Sequence, residues 1–491
     1  MRLDEVMPGA PAAAGALDIA QLAYDTRQVV PGTLFFCVPG FTRDGHEFAG
    51  EAIARGAVAL VVERPLATGV PEIEVESVRI AMALAAARFF GDPTASLRTL
   101  GVTGTNGKTT SAFLLRDLME ASGLQAGLLG TVKSVIGGVE HEVVRTTPEA
   151  IDLQRTFRTM LDAGDRACAM EVSSHALELH RADSIHFAAA LFTNLTQDHL
   201  DFHGTMEEYF DAKRQLFVEL EPAVSIVNLD DEYGRRLAGE LEDPVTFAIE
   251  RDANFRAVDV ASGLRGSRFK VGDVEVRSPL RGRFNVYNAL GAFATARTFG
   301  IAEEVAAAAI EAAPPVPGRF EPVDEGQGFA VLVDYAHTPD SLENVLHAAR
   351  GLTGGRVHVV FGCGGDRDRG KRPRMGKIAR RLADHVVVTS DNPRSEDPEA
   401  IIDEILAGTG DGVESNADRR AAIAEAIGVA EPGDIVVIAG KGHEQGQEFA
   451  SGYKIPFDDR TVAREILRAS RTTLPVGEPG RRADERQSAP R

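Results

Sequence analysis

The sequence predicts an α/β protein of three domains: a small N-terminal α/β domain, a central parallel-sheet domain and a C-terminal doubly wound domain. Three observations carry that expectation. Short apolar runs rich in Val, Leu, Ile and Ala recur along the chain and suit buried parallel strands. Alanine-rich or amphipathic stretches of helical period lie between them. Many of the strand-like runs end in a glycine, acid or arginine loop, as the ligand edge of a parallel sheet does. The length, 491 residues, suits about three domains.

The bulk numbers exclude several classes. A hydrophobic content of 44% can build full cores. Cys37, Cys168 and Cys363 lie far apart without metal-ligand spacing, which points to a reducing compartment and no disulfide framework. The start, Met1-Arg-Leu-Asp-Glu, lacks a signal-peptide pattern, and no apolar run is long enough to span a bilayer, so a cytoplasmic protein without membrane contact is expected. A monomer is expected. The formal net charge of −20 argues against nucleic-acid binding, which needs a basic footprint. It also gives weight to any place where lysines and arginines cluster.

Residues 1–97 read as the first domain. Thr33-Leu-Phe-Phe-Cys-Val and Ala57-Val-Ala-Leu-Val-Val are strand-like, with a helix from Glu47 to Arg55 between them. Thr26 and Arg27 precede the turn Pro31-Gly32, and Gly40 to Gly45 form a polar loop; taken alone, Arg27 reads as a surface arginine. Ser77 to Phe90 is an alanine-rich helix that Gly91-Asp-Pro93 ends.

Residues 98–316 read as a central P-loop domain. Thr99 to Thr110 runs as strand end, glycine turn and helix start. Gly104 and Gly107 permit a tight turn whose bare N–H groups, with those of Thr105 and Asn106, can face an anion. Lys108 supplies a mobile charge, Thr109 a hydroxyl fit for Mg²⁺, and Thr110 continues into the helix whose N-terminus faces the same anion. The spacing departs from the standard phosphate loop, because Val102 stands where its first glycine belongs. Thr146 and Thr147 precede a helix; Thr147 could cap it with Pro148 at its first position, and such hydroxyls also suit a ligand. The strand Ala167-Cys-Ala-Met-Glu171 delivers a carboxylate and Ser173 to a strand end, where a Mg²⁺ ligand belongs. A further apolar run leads to Asp198, His199, Asp201 and His203. In the amphipathic helix Tyr209 to Phe217, Lys213 reads by periodicity as a surface lysine. Val258 to Val276 alternates like β structure, and an alanine-rich helix follows, with Asn285 as its expected cap and Asn288 in its first turn. Pro314 to Glu321 is rich in rigid residues and predicts a linker or hinge.

Residues 317–470 read as a Rossmann-like domain of repeated βα units. Ala330 to Tyr335 leads to His337; Arg356 to Phe361 to the glycine and arginine loop with Arg367; His385 to Ser390 to Asp391-Asn392-Pro393-Arg394; and Asp434 to Ala439 to Gly440, His443 and Glu444. Residues 471–491 lack apolar periodicity and are expected to be disordered.

A phosphate loop with nearby acids implies a nucleoside triphosphate with Mg²⁺, and strand-end arginines imply a second, anionic ligand. That combination suits ATP-driven joining of a carboxylate to an amine through an acyl phosphate. A nucleotide switch without ligase chemistry is the rival reading, but it has no need of Arg367, Arg394 and Glu444 around a second crevice.

Over about residues 20 to 468 the sequence resembles the Mur ligases. Gly104-Thr-Asn-Gly-Lys-Thr-Thr110 is that family's version of the phosphate loop; Glu171-Val-Ser-Ser-His and Asn194-Leu-Thr-Gln-Asp-His199 match its Mg²⁺ and substrate regions; Tyr209-Phe-Asp-Ala-Lys213 matches a motif whose lysine is carbamylated; Asp391-Asn-Pro-Arg394 matches the diaminopimelate-adding branch. The resemblance implies that ATP is held by Gly104 to Thr110, Asn288, Arg319, Asp334, Tyr335 and His337. It implies Mg²⁺ on Thr109, Glu171 and His199, with a second ion on carbamylated Lys213, and a charge-stabilising role for Arg319. The implied acceptor is UDP-N-acetylmuramoyl-L-alanyl-D-glutamate, on Thr26, Arg27, Thr146, Thr147, Ser173 and Arg181. The implied amine is meso-diaminopimelate, on Arg367, Asp391, Asn392, Pro393, Arg394, Gly440 and Glu444. A lysine-adding relative and a folylpolyglutamate synthetase-type ligase are the neighbouring alternatives.

Overall fold

The computed structural model describes residues 1–40 and 43–472. The chain divides into two compact units: Met1–Phe320 with Thr338–Leu352, and Glu321–His337 with the residues from Thr353 onward.

The first unit opens with a four-stranded parallel sheet in the order Gln21–Ala23, Thr33–Phe36, Ala57–Val62, Glu72–Glu74. Its outer strands are three residues each, too short for their periodicity to register in the sequence. The expected helix at Glu47 is a 3₁₀ turn, Gly45–Phe48, followed by helix Ala49–Arg55. Helix Val78–Phe89 begins where the Ser77 hydroxyl accepts from Ile80 N.

The main sheet of this unit has eleven strands. Seven neighbours are parallel, in the order Phe255–Gly263, Val245–Ala248, Ser225–Asn228, Phe187–Phe192, Arg98–Thr103, Ala167–Glu171, Ala126–Leu129. Antiparallel strands extend both margins, Gly266–Val271 and Val274–Ser278 on one side and Ser134–Ile136 with Val139–His141 on the other. Strand Arg98–Thr103 sits at the centre. The chain leaves it toward Ala126–Leu129, returns to Ala167–Glu171 beside it, and then crosses to Phe187–Phe192 on its other flank. That reversal makes a topological switch point, and the carboxyl ends of the three central strands open there. In register, Val102 lies opposite Glu171 and Thr103 opposite Phe192.

Helices cover both faces. Lys108–Ala121, Arg283–Thr298 and Glu303–Ala312 bury Phe113, Leu118, Phe293 and Ile310 on one; Ala150–Asp162 and Met206–Val218 bury Phe157, Met160, Phe210 and Phe217 on the other. Helix Met206–Val218 starts at a capping box, in which Thr205 Oγ1 accepts from Glu208 N and Glu208 Oε2 from Thr205 N.

The second unit is built on a six-stranded sheet in the order Glu321–Pro322, Ala330–Asp334, Ile435–Ala439, Val357–Phe361, His385–Thr389, Glu414–Asn416, parallel except for the first pair. Its central strands are almost wholly buried and apolar, as strands covered on both faces must be. A small hairpin, Gly446–Glu448 with Lys454–Pro456, follows the last of them. Helix Asp459–Thr472 takes in the first two residues of the expected tail; the rest of that tail, with Phe41 and Thr42 of the Gly40–Gly45 loop, lies outside the described residues.

Candidate active site

In the first unit the site grows from the turn after strand Arg98–Thr103. Gly104 has φ +144° and Gly107 φ +88°, values that L-residues avoid. Both are also crowded: a Cβ at Gly104 would strike Thr193 Oγ1, and one at Gly107 would strike Asn288 Oδ1. The turn is pinned from outside, since Thr105 N donates to Asn194 O at 2.9 Å and Asn106 N to Asn194 Oδ1 at 2.9 Å. Lys108 folds back over it, with Nζ donating to Gly104 O and Thr105 O, both at 2.8 Å. Burial lowers the Lys108 pKa, against the opposing charges of Glu171 and Asp198.

Glu171, at the end of the adjacent strand, is 1% exposed. Its Oε2 accepts from Thr109 Oγ1 at 3.0 Å and from Thr131 Oγ1 at 3.1 Å, and its Oε1 from Thr131 N at 2.7 Å. Arg319 Nη2 donates to Thr109 Oγ1 at 2.9 Å, so a guanidinium, two hydroxyls and a carboxylate stand in one chain beside the glycine turn. The oxygens of Thr109, Glu171 and Thr131 are the donor set a hard cation such as Mg²⁺ takes.

The same carboxyl end gathers the next group. Thr147 does not cap a helix: Glu149 is the N-cap of Ala150–Asp162, and Thr147 Oγ1 instead donates to Glu171 O at 2.9 Å and accepts from Ser173 N at 3.2 Å. The Ser173 hydroxyl caps helix Ser174–Glu178. Thr146 and Thr131 hydroxyls lie 3.0 Å apart. Arg181 Nη1 donates to Thr147 O at 3.3 Å, and its Nη2 pairs with Glu149 at 2.9 Å; Arg79 and Arg145 approach the same carboxylate at 3.5 and 2.9 Å.

Lys213 is buried, not on the surface, because its helix lies over the phosphate turn and the core takes Phe210 and Phe217. Its Nζ donates to Gly104 O at 2.9 Å, the carbonyl that Lys108 also uses, and sits 4.6 Å from the Tyr209 ring centroid. Burial first and the Lys108 charge second push its pKa well below the ordinary lysine value. His199, at φ +53°, packs edge-on to His175 with 4.8 Å between centroids. Desolvation lowers its pKa, opposed by Asp198 and reinforced by His175, Lys108 and Lys213. Asn288 lies in the second turn of helix Arg283–Thr298, which Gly282 caps in place of the expected Asn285; its Nδ2 donates to Asn285 Oδ1 at 3.0 Å and its Oδ1 faces Gly107. Thr26 and Arg27 stand in a separate 3₁₀ turn in the N-terminal sheet, where exposed Arg27 pairs with Asp25.

In the second unit, four neighbouring parallel strands deliver the expected loops to one sheet edge. After Ala330–Asp334, Asp334 Oδ1 accepts from Ala336 N, and the His337 ring lies 4.6 Å from that of Tyr335. After Val357–Phe361, Arg367 is exposed. Beyond His385–Thr389, Arg394 has φ +51°; its Nη1 donates to Gly365 O at 2.8 Å and its Nε lies 3.3 Å from Glu448 Oε2. Asp391 packs so closely on Gly440, at φ +119°, that a Cβ there would strike Asp391 Oδ2. Asn392 Nδ2 donates to Glu444 Oε2 at 2.8 Å. Pro393 follows in the same turn, its carbonyl so close to Gly365 that a Cβ there would strike it.

Sequence reasoning missed several partners. Thr131 has a local signal, following Gly130 at a strand end. Glu149, Lys441 and Arg419 have none, since each takes at least one partner far along the chain.

Three family models match: Mur ligase family, catalytic domain, at residues 18–90; Mur ligase middle domain, at 102–296; and Mur ligase, glutamate ligase domain, at 318–442. The chain is 47% identical over 469 residues, 92% of its length and 96% of the relative's, to a UDP-N-acetylmuramoyl-L-alanyl-D-glutamate–2,6-diaminopimelate ligase of Geobacillus kaustophilus. It is 46% identical over 480 residues, 94% of each, to the protein of that name in Streptomyces coelicolor. A solved structure under the same name matches with TM-score 0.70 at 32% identity, covering 96% of this chain and 99% of that one. A MurF ligase from Thermotoga maritima in complex with ADP shares the fold, with TM-score 0.62 at 19% identity over 91% of this chain and 96% of that one. By its sequence, the chain belongs to the Mur ligase family.

Proposed function

We propose that the protein joins meso-diaminopimelate to UDP-N-acetylmuramoyl-L-alanyl-D-glutamate at the expense of ATP, through an acyl phosphate, in peptidoglycan precursor synthesis. The observation that carries this is the chain Arg319, Thr109, Glu171, Thr131 beside a lysine-covered glycine turn. A phosphoryl group seated there would meet backbone N–H groups, Lys108 and a guanidinium where its charge develops. Names of relatives alike over nearly the full chain support the choice of substrates.

The roles follow. The turn Gly104 to Thr110, through the amides that Asn194 does not engage, and Lys108 bind the ATP phosphates; Asn288, Asp334, Tyr335 and His337 complete ATP binding. Thr109, Glu171 and His199 would hold Mg²⁺, which supplies charge neutralisation at the phosphates when bound. The depressed pKa of Lys213 favours the neutral amine, and a neutral amine takes up CO₂ and releases a proton to become a carbamate, an oxygen donor for a second ion. Thr146, Thr147, Ser173 and Arg181 orient the acceptor's carboxylate, with Thr26 and Arg27 at its uridine end. Arg367, Asp391, Asn392, Pro393, Arg394, Gly440 and Glu444 hold the amino acid, and Arg394 grips the carboxylate that diaminopimelate has and lysine lacks. We assign binding of the UDP-substrate to residues 1–97, ATP binding to residues 98–316 and amino-acid binding to residues 317–470. Among the described residues no helix is long and apolar enough to cross a membrane, and a cytoplasmic monomer accords with the reading.

Phosphate release, measured with the nucleotide-sugar dipeptide and either meso-diaminopimelate or lysine, tests the proposal. Release that requires the dipeptide and diaminopimelate is expected. Release with lysine instead would make the protein a lysine-adding ligase, and release independent of both would make it a nucleotide switch.

A further inference from the structure

Lys441 follows Gly440 at the end of strand Ile435–Ala439, and its side chain is 0% exposed. A buried ammonium persists only when its charge and donors are met. Here Nζ donates to Asn392 Oδ1 at 2.8 Å and to Glu444 Oε2 at 3.1 Å, and lies 3.8 Å from Asp391 Oδ1. Glu448 N donates to the same Asn392 oxygen at 2.9 Å. With Oδ1 saturated by two donors, the Asn392 amide has one orientation, and its Nδ2 is turned to Glu444 Oε2 at 2.8 Å. Glu444 Oε2 thus receives two hydrogen bonds from the protein, while Oε1 and the second Nδ2 hydrogen, which meet no partner among the described residues, are left for a ligand.

We propose that Lys441 is a positioning residue that fixes Asn392 and Glu444 for the amino-acid substrate without touching it. The inference rests on the amino-acid site assigned above and adds a residue to it. A lysine suits the task because three donors radiate from one point charge. A neutral side chain of the same length leaves the Asn392 amide free to flip and the Glu444 carboxylate free to swing.

The wild-type enzyme is assayed first, with diaminopimelate and with lysine; if it fails with diaminopimelate, the functional reading falls rather than this one. Lys441→Met is then expected to raise KM for diaminopimelate by about 10- to 150-fold, the equivalent of one charged hydrogen bond, with KM for ATP unchanged. Lys441→Gln, which keeps an N–H donor for Asn392 Oδ1, is expected to recover part of that loss, and it stands in with the same readouts if the methionine variant does not fold. In an Asn392→Ala/Glu444→Gln background, Lys441→Met should add almost nothing, because the groups it positions are gone. An unchanged KM for diaminopimelate, an equal loss in both substrates, or a full additional loss in that background would each overturn the proposal.

Discussion

Replacing Gly107 with alanine isolates what the geometry of the phosphate turn contributes. Gly107 has φ +88° and Gly123, just beyond helix Lys108–Ala121, has φ +87°. An L-residue in this left-handed region costs about 1–2 kcal/mol, so the backbone strain of the two substitutions is matched. Their surroundings differ: a Cβ at Gly123 meets nothing within 4 Å, whereas one at Gly107 strikes Asn288 Oδ1. Asn288 must then move and lose its 3.0 Å bond to Asn285, worth about 0.5–1.5 kcal/mol. The total for Gly107→Ala is about 1.5–3.5 kcal/mol, against about 1–2 kcal/mol for Gly123→Ala. Urea unfolding and calorimetric titration with a non-hydrolysable ATP analogue read the two consequences separately. Gly123→Ala should lose stability and keep its Kd for the nucleotide. Gly107→Ala should also weaken that Kd by about tenfold or more if, as proposed, the displaced Asn288 and the distorted amides bind the nucleotide. Equal Kd values in the two variants would refute the assignment of this turn.

Four further outcomes are expected. Arg394→Ala should raise KM for diaminopimelate by about 10- to 150-fold and leave KM for ATP unchanged, as steady-state kinetics with each substrate varied will report. The native enzyme is expected to give a carbamate resonance with ¹³C-bicarbonate, and Lys213→Met to abolish both that resonance and turnover. Asp459→Asn leaves the fully buried Arg419 without its counter-ion and should cost about 3–5 kcal/mol in the unfolding of the second unit, read by urea titration. Hydrogen bonding from Arg372 holds the Glu396 carboxyl at about 2, below its ordinary 4.5. The stability this contributes is therefore complete above about pH 4.5 and fades as the pH falls toward about 2; Glu396→Gln should flatten the stability profile over that window.

Strand ends were the legible part of this molecule. The runs ending at Thr103, Glu171 and Phe192 in one sheet, and at Asp334, Phe361, Thr389 and Ala439 in the other, are apolar enough to be recognised singly, and each parallel sheet then obliges the loops after its own strands to share an edge. Sequence alone therefore located the turn at Gly104, the carboxylate at Glu171 and the loop at Asp391. Helix starts were less legible, because capping competes with other hydrogen bonds. Thr147 has the side chain of a cap, yet its hydroxyl satisfies Glu171 O, and Glu149 takes the cap position.

Residue type misled at Lys213, where spacing did not. Lys213 falls three residues after Phe210 and four before Phe217, in the middle of the one buried face of helix Met206–Val218, where it lies against the glycine turn. The amine tolerates that burial because Nζ donates to Gly104 O and because the lowered pKa favours the uncharged form. Lys441, Arg372 and Arg419 repeat the pattern. Each is a fully buried cation whose partners lie elsewhere on the chain: Asn392 and Asp391 for Lys441, Glu396 and Glu404 for Arg372, Asp459 for Arg419. In a chain of net charge −20, cations taken out of solvent are few, and these three hold loops that follow parallel strands. Arg419 shows the purpose: its Nη2 donates to Ala439 O at 2.9 Å and its Nη1 to Ser390 O at 3.4 Å, so one guanidinium ties together the ends of the two strands that carry Gly440 and Asp391. In the role proposed for Arg394, a half-buried side chain, a grip would be loose if its loop were loose, and buried positive charge behind the sheet edge holds that edge in place.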